Sequence, residues 1–175
     1  WHEIENSDLI NITLDPGLAF GTGAHPTTHL CTEWLIDNVT RNSEVMDYGC
    51  GSGILAIAAY KLGAEKVLGV DIDPQAIAAS KENSKVNKCS INWLNTDENF
   101  KFQADLIVAN ILSSALMVLA PLLASYCKPT GKIALSGILE SQEEKIKEIY
   151  SPWFTFEDTL KNDGWICLSG IKKIL

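Results

Sequence analysis

The chain has 175 residues, of which 46% are hydrophobic and 21% are charged, and its formal net charge is −8. The length and composition predict one globular domain with a sizeable core and disfavour disorder. The negative charge disfavours nucleic acid as the main partner, because binding there depends on neutralising phosphates, and it favours a basic protein or an uncharged small molecule.

The first predicted element is a short strand over residues 11–14, where apolar and polar residues alternate. A glycine-rich loop at 18–23 follows it, and a helix begins near His25, with proline in its first turn. From spacing alone Thr28 is a capping hydroxyl or a ligand contact, and capping is favoured. We interpret His25 as a loop histidine that bonds to backbone.

Residues 45–53 read V-M-D-Y-G-C-G-S-G, and a helix is predicted from Ile54 to Leu62. A strand, a glycine turn and a helix in succession let a ligand approach bare backbone at the helix N-terminus. A dinucleotide-binding turn needs a small residue where Ile54 stands, because close packing over a pyrophosphate requires it. The pattern D-x-G-x-G-x-G is instead typical of S-adenosylmethionine (SAM) methyltransferases. An ordinary glycine turn is the alternative.

A second strand is predicted at 66–70, followed by Asp71-Ile72-Asp73 and by a helix over 75–87. An acid at the end of the second strand is where a protein holds ribose hydroxyls. An acid directly before proline is also a typical helix cap. We therefore assign Asp71 to the ribose and Asp73 to the cap.

Further strands are predicted at 90–94, at 105–108 ahead of Asn110, and at 132–135. We interpret Asp97 as a partner of an adenine amino group or as a solvated loop acid. An amphipathic helix at 140–150 and two closing strands, 154–159 and 165–171, complete the chain. Asn162-Asp163-Gly164 between those two strands is a hairpin signal.

The alternation of strands and helices predicts an α/β fold with a parallel sheet, to which the hairpin adds an antiparallel strand. Ligand loops in such sheets lie at the carboxyl ends of the strands, at the topological switch point. The glycine turn, Asp71 and Asn110 all follow strands at that edge. We therefore expect them to lie together.

The cysteines are five in number and scattered, without a C-x-x-C pair. This pattern argues against a disulfide framework and against a zinc site, and it favours a reducing cytoplasm. Cys50, inside the glycine turn, is interpreted as a small side chain that fills space rather than as a nucleophile. We see no signal peptide and no membrane-spanning run, and a chain that begins at Trp1 is expected to be a piece of something longer.

Three segments carry a more specific resemblance: 14–28, with L-D-P-G-L-A-F-G-T-G and H-P-T-T, then 47–57 and 71–77. Together they closely resemble the bacterial methyltransferase family (PrmA) that modifies large-subunit ribosomal protein L11, over nearly the whole chain. The resemblance implies a Rossmann-like class I SAM-dependent methyltransferase with a mostly parallel seven-stranded sheet and a C-terminal antiparallel hairpin strand. It also implies that SAM is bound by five residues: Thr28, Gly49, Gly51, Asp71 and Asn110.

The same resemblance implies methylation of lysine side chains and of the N-terminal α-amine of L11, without metal, membrane or direct nucleic-acid binding. Asn110, with the backbone of Ile111 and Leu112, is the candidate that orients the amine, and Phe20 is a candidate π surface or a packing residue. We interpret residues 1–175 as a single domain, with an opening strand and glycine-rich loop in 1–25. We expect the family's N-terminal substrate-recognition domain to be missing from these residues, and therefore expect SAM binding with little methylation.

Two departures from the family are visible. Ala24 stands where members usually carry threonine, and the segment 110–116 lacks a proline before its last leucine. Two alternatives remain open: a related lysine methyltransferase that acts on another protein, and a non-catalytic SAM-binding module. A nicotinamide oxidoreductase is disfavoured by Ile54.

Overall fold

Strands and helices alternate along the computed structural model, which describes residues 9–15 and 21–174. The strands are β1 (Glu44–Tyr48), β2 (Lys66–Asp71), β3 (Asn92–Asn95), β4 (Ala104–Asn110), β5 (Cys127–Leu139), β6 (Phe154–Phe156), β7 (Leu160–Asn162) and β8 (Trp165–Lys172). The helices are α1 (Pro26–Asn38), α2 (Ile54–Lys61), α3 (Pro74–Val86), α4 (Ser113–Tyr126) and α5 (Glu143–Tyr150), with a 3₁₀ turn at Glu140–Gln142.

In the described residues these strands form one sheet in the order β3-β2-β1-β4-β5-β8-β6, and β7 pairs with β8 as an eighth strand. β1 to β5 are mutually parallel where they pair, whereas β8 runs antiparallel to β5, β6 and β7. The predicted α/β fold with an antiparallel C-terminal hairpin strand is therefore confirmed, but the sheet has eight strands in the described residues and not seven, because β6 and β7 both pair with β8. Asp163 and Gly164 form the hairpin turn, with φ of 51° and 78°.

The sheet is buried on both faces because helices cover each of them. α4 and α5 pack on one side against side chains such as Met46, Leu68 and Ile107. α1, α2 and α3 pack on the other side against Val45, Val67 and others. Neighbouring residues of one strand point to opposite faces, and the resulting apolar runs are typical of a parallel sheet.

The chain turns back at β1, which lies between β2 and β4. The carboxyl ends of these three neighbouring strands lead into the glycine turn, Asp71 and Asn110. This is the switch point at which open α/β sheets bind ligands.

Several predicted element boundaries were wrong. Residues 11–14 form no strand, and the side-chain amide of Asn87, the C-cap of α3, bonds both backbone groups of Thr13 where a neighbouring strand would. β5 extends beyond 132–135 in both directions and continues past Gly137 through a register shift. The predicted strand 154–159 ends early, as β6, and a separate strand outside the predicted range, β7, forms the hairpin with β8.

No helix within residues 9–15 and 21–174 combines the length and the apolar character that a membrane crossing requires.

Gly137→Ala should destabilise the fold strongly. Gly137 has a φ of +83°, and a Cβ there would lie 2.1 Å from the carbonyl oxygen of Ile111. Backbone cannot yield as a flexible side chain does, so we expect a loss of about 3 kcal/mol in the free energy of unfolding, which urea titration measures. Gly164→Ala is the matched control, since its φ is +78° but no atom lies within 4 Å of its Cβ. Equal losses in both variants would contradict the clash.

Candidate functional site

The glycine turn joins β1 to α2 at the carboxyl edge of the sheet. Its glycines at 49, 51 and 53 have φ of +80°, +54° and +85°. At Gly49 a Cβ would lie 2.2 Å from Cγ2 of Ile111, so the loop after β4 packs directly on the turn. Gly53 is the N-cap of α2 and offers no side-chain cap, and the side chains of Ser52 and Asp47 accept the N–H groups of Ile54 and Ala56 in the first turn of the helix.

Asp71 is joined to this turn by hydrogen bonds. Its Oδ2 accepts the N–H of Gly51 at 2.9 Å, and its Oδ1 accepts the N–H of Asp73, also at 2.9 Å. These two bonds fix the plane of the carboxylate, whose remaining lone pairs can accept further donors. Asp73 caps α3, because its Oδ1 accepts the N–H of Gln75 at 2.8 Å, so that prediction is confirmed.

Asn110 ends β4, and its side-chain amide bonds to none of the residues that the structure describes. The next residue holds the loop in place: Ile111 donates its N–H to the carbonyl of Ser136 at 3.2 Å. Ile111 therefore lies between the glycine turn, through Gly49, and β5, through Gly137. Because Ile111 packs between Gly49 and Gly137, the preceding residue, Asn110, lies beside the glycine turn.

The suggestion that the backbone of Leu112 orients an amine is wrong. Its carbonyl accepts the N–H groups of Ala115 and Leu116, at 3.0 and 3.1 Å, at the start of α4. A carbonyl oxygen has two lone pairs, and both are used here. The roles of the Asn110 side chain and of the Ile111 backbone in orienting the amine remain predictions.

Thr28 lies in the first turn of α1 but does not cap it. His25 is the N-cap: its Nδ1 accepts the N–H of Thr27 at 3.3 Å, and its ring packs edge-on against Trp165. The prediction that His25 bonds to backbone is confirmed. Thr28 is buried and lines a groove of about 500 Å³ together with Gly23 and Ile54. The groove places Thr28 beside the N-terminus of α2, while Phe20 lies outside the described residues.

Asp47, in β1 beneath the glycine turn, is an acid whose role the sequence did not indicate. It is 1% exposed, and its Oδ2 accepts the N–H of Ala56 in α2 at 3.1 Å. Burial raises its pKa to about 7, the hydrogen bond from Ala56 lowers it, and the negative charge of Asp71 raises it. The acid of the D-x-G-x-G-x-G pattern therefore ties β1 to α2.

Asp47→Asn should raise the stability above pH 7 and flatten its pH dependence. The pKa of Asp47 rises from 3.8 to about 7 on folding, so the folded chain binds this proton more tightly. Its stabilising contribution is complete below pH 4 and is lost as the pH rises to 7. Asparagine still accepts the N–H of Ala56 without ionising, so we expect a gain of up to about 4 kcal/mol at pH 8 and little change at pH 4. If urea unfolding showed the same dependence of the unfolding free energy on pH in the wild type and in Asp47→Asn, this expectation would be contradicted.

Cys50 is a buried side chain that fills space in the glycine turn, as its position predicted. It is 5% exposed, its Sγ lies 3.6 Å from Oγ of Ser80, and burial raises the pKa of its thiol. A protonated thiol is a poor nucleophile. Among residues 9–15 and 21–174, no group of three or more His, Cys, Asp or Glu side chains is arranged to hold a metal ion.

Two further residues at this edge were missed. Ser52 and Asn83 are 3% and 2% exposed, and both make hydrogen bonds around the turn. A sequence signal for Asn83 was available: the buried residues of α3 follow a helical stripe, and Asn83 belongs to it together with Ala76, Ile77, Ser80 and Ser84. A polar residue on a buried stripe indicates a specific partner.

A family model described as "Ribosomal protein L11 methyltransferase (PrmA)" matches residues 1–173. A ribosomal protein L11 methyltransferase of Methylobacillus flagellatus is 53% identical over 173 residues, which are 99% of this chain and 59% of that protein. The same enzyme of Laribacter hongkongensis is 50% identical over 175 residues, with coverages of 99% and 59%. The chain therefore spans about 59% of the length of these curated relatives.

Solved structures agree with this match. A ribosomal protein L11 methylase of Lactobacillus delbrueckii subsp. bulgaricus superposes with a TM-score of 0.91 at 37% identity and covers 99% of this chain and 91% of its own. The T. thermophilus 16S rRNA N2 G1207 methyltransferase (RsmC), in complex with AdoMet and guanosine, gives a TM-score of 0.73 at 23% identity, with coverages of 89% and 45%. The second likeness concerns the fold alone, which is that of class I SAM-dependent methyltransferases.

Proposed function

Because this chain belongs to the ribosomal protein L11 methyltransferase family, we propose that it carries the SAM-binding catalytic domain of a protein N-methyltransferase. Its substrates would be amino groups of L11, on lysine side chains and at the N-terminus. The observation that carries the proposal is the hydrogen bond of 2.9 Å between the Asp71 carboxylate and the N–H of Gly51. This bond holds Asp71, an acid suited to bind ribose hydroxyls, directly beside the glycine turn.

The charges around the turn favour SAM over a phosphate-bearing nucleotide. Asp71 flanks the turn, and its carboxylate accepts the N–H of Gly51. A carboxylate at that position repels a pyrophosphate, which would otherwise suit a helix N-terminus. SAM carries a positive sulfonium and no phosphate, so the same carboxylate attracts it. Gly49, Gly51, Asp71, Asn110 and Thr28 are the residues that we propose to hold it.

The bound cofactor would supply a methyl group that the positive sulfur has already activated for displacement. The protein then has to hold the acceptor nitrogen in line with that methyl, and such alignment can contribute roughly 7–11 kcal/mol. The side-chain amide of Asn110 bonds to none of the described residues and stands at the end of β4, the neighbour of β1. Its carbonyl oxygen can accept an N–H of the incoming amine and so direct the nitrogen lone pair towards the methyl.

The amine must also be neutral before it attacks. A lysine amine has a pKa near 10.4 in water, and removal from water lowers that value. The exposed side chain of Leu112, directly after Ile111, gives the rim of the site an apolar surface against which an amine can lose water. The proposed partner is a ribosomal protein, and the net charge of −8 favours a basic one.

Calorimetry with SAM and with NAD tests the cofactor. We expect binding of SAM alone, and binding of NAD alone would overturn the proposal. Mass spectrometry of L11 after incubation with SAM and either this chain or a full-length relative counts the added methyl groups and locates them. Methylation of an RNA or a small molecule in place of L11 would leave the cofactor assignment intact and replace the substrate.

A further inference from the structure

Asn83 connects two parts of the chain that lie far apart in sequence. Its Oδ1 accepts the N–H of Asp15 at 3.0 Å, and its Nδ2 donates to the carbonyl of Ser52 at 2.9 Å. The side chain is thus bonded on one side to the segment 9–15 and on the other to the glycine turn. At 2% exposure it has no water to replace either partner.

Ser52 makes a second connection from the same turn. Its Oγ donates to the carbonyl of Gly21 at 2.6 Å. The approach is close: a Cβ on Gly21 would lie 2.8 Å from that oxygen. The backbone and the side chain of Ser52 therefore hold Asp15, through Asn83, and Gly21 directly. Residues 16–20, between these two positions, lie outside the described residues.

We propose that Asn83 and Ser52 are positioning residues of the cofactor site, which fix the glycine turn by holding it to both flanks of the N-terminal glycine-rich segment. The turn offers mainly backbone to a ligand, and most of its N–H groups already bond within the protein, so the turn must have its final shape when the ligand arrives. Ser80 supports the same turn from α3 by donating to the carbonyl of Gly51 at 2.8 Å. Asn83 differs from Ser80 because it also holds the N-terminal segment.

The arrangement has a reciprocal consequence. If the seating of residues 9–15 and 21–23 stabilises the turn, then a ligand that binds the turn must stabilise that seating equally. Cofactor binding and the position of the segment that precedes α1 are therefore coupled through two side chains. This inference rests on the proposed SAM site, and its test distinguishes a failure of the coupling from a failure of the SAM site itself.

Asn83→Asp is the first variant, because aspartate keeps the acceptor for Asp15 and loses the donor to Ser52. We expect SAM affinity, measured by calorimetry, to fall about tenfold, since a buried carbonyl loses its hydrogen bond. Hydrogen exchange supplies a second readout. In the wild type SAM should slow exchange of the Asp15 amide, and in the variant it should not.

Asn87→Asp is the matched control. Asn87 lies one turn further along α3 and bonds the same segment, with Oδ1 2.9 Å from the N–H of Thr13 and Nδ2 2.6 Å from its carbonyl oxygen. No hydrogen bond joins Asn87 to the described residues of the glycine turn. We expect faster exchange at Thr13 in this variant, because its carbonyl loses a donor, and a loss of SAM affinity clearly smaller than that of Asn83→Asp, because Asn87 reaches the turn only through this segment.

Ser52→Ala keeps the proposal testable if Asn83→Asp does not fold, as thermal unfolding will show. It removes the bond to Gly21 without introducing a charge, and it should also weaken SAM binding about tenfold. Wild-type affinity in folded Asn83→Asp and Ser52→Ala proteins would overturn the positioning role, as would an equal loss in Asn87→Asp. Failure of the wild type to bind SAM would instead overturn the proposed function and, with it, this coupling.

Discussion

Asp71→Ala is expected to weaken SAM binding by at least about 100-fold, because the variant would lose the two charge-assisted hydrogen bonds that we propose between Asp71 and the ribose, each worth about 1.5–3 kcal/mol. The contacts of Asp71 add a second cause. Its Oδ2 holds the N–H of Gly51 at 2.9 Å, so the variant also loosens the glycine turn. Calorimetric titration with SAM measures the change.

Two other variants separate these causes. Asp71→Asn keeps one carbonyl oxygen and removes the charge, so its affinity should lie between those of Asp71→Ala and the wild type. Asp73→Ala removes the neighbouring acid, which caps α3 through the N–H of Gln75. It should cost about 1 kcal/mol of stability and leave SAM affinity unchanged. An Asp71→Ala protein that binds SAM as the wild type does would exclude the ribose assignment.

The topology was predictable because its signals are local. β1, β2 and β4 are short and largely apolar, and glycine, aspartate or asparagine stands where they lead to the site. Asp163 and Gly164 adopt positive φ, as a two-residue hairpin turn requires. The meeting of the glycine turn, Asp71 and Asn110 follows from strand order, since β1 lies between β2 and β4.

The predictions that failed concern residues whose hydrogen-bond partners are distant in sequence. Residues 11–14 alternate as a strand does, yet their backbone is bonded by the side chains of Lys61, at the end of α2, and of Asn87, at the C-cap of α3. Asn87, which bonds Thr13, lies 74 positions further along the chain. The sequence does not distinguish an asparagine whose side chain bonds a distant backbone segment from an asparagine that is exposed to water. The role of Asn83 between Asp15 and Ser52 was hidden for the same reason.

The site was predicted in part. The contact of Asp71 with Gly51 emerged as a hydrogen bond, whereas the part of Leu112 was excluded by the geometry of α4. Helix capping explains the error, since the residue before α4 must supply its carbonyl to the first turn. Thr28 lies buried beside the N-terminus of α2, in a groove that it shares with Ile54, and its contact with SAM stays a prediction.

Asn110→Ala is expected to reduce turnover by about 100-fold or more, because misplacing an acceptor amine by about 1 Å can cost that much. Asn110 ends β4 with a side-chain amide that bonds to none of the described residues, so the fold does not depend on it. Thermal unfolding should therefore match the wild type. Turnover is measured by counting methyl groups on L11 by mass, with SAM saturating, in the longest available form of the enzyme.

The pattern of losses identifies what Asn110 does. If it only orients the amine, calorimetry will show wild-type SAM affinity beside the reduced turnover; if it also holds the cofactor, both will fall. Asn92→Ala is the control, because Asn92 is exposed at the opposite, amino end of β3 and should change neither quantity. Wild-type turnover in Asn110→Ala would exclude both roles. The lone pair of the amine would then have to be directed by backbone alone, and the carbonyl of Ile111, against Gly137, would be the group left to do it.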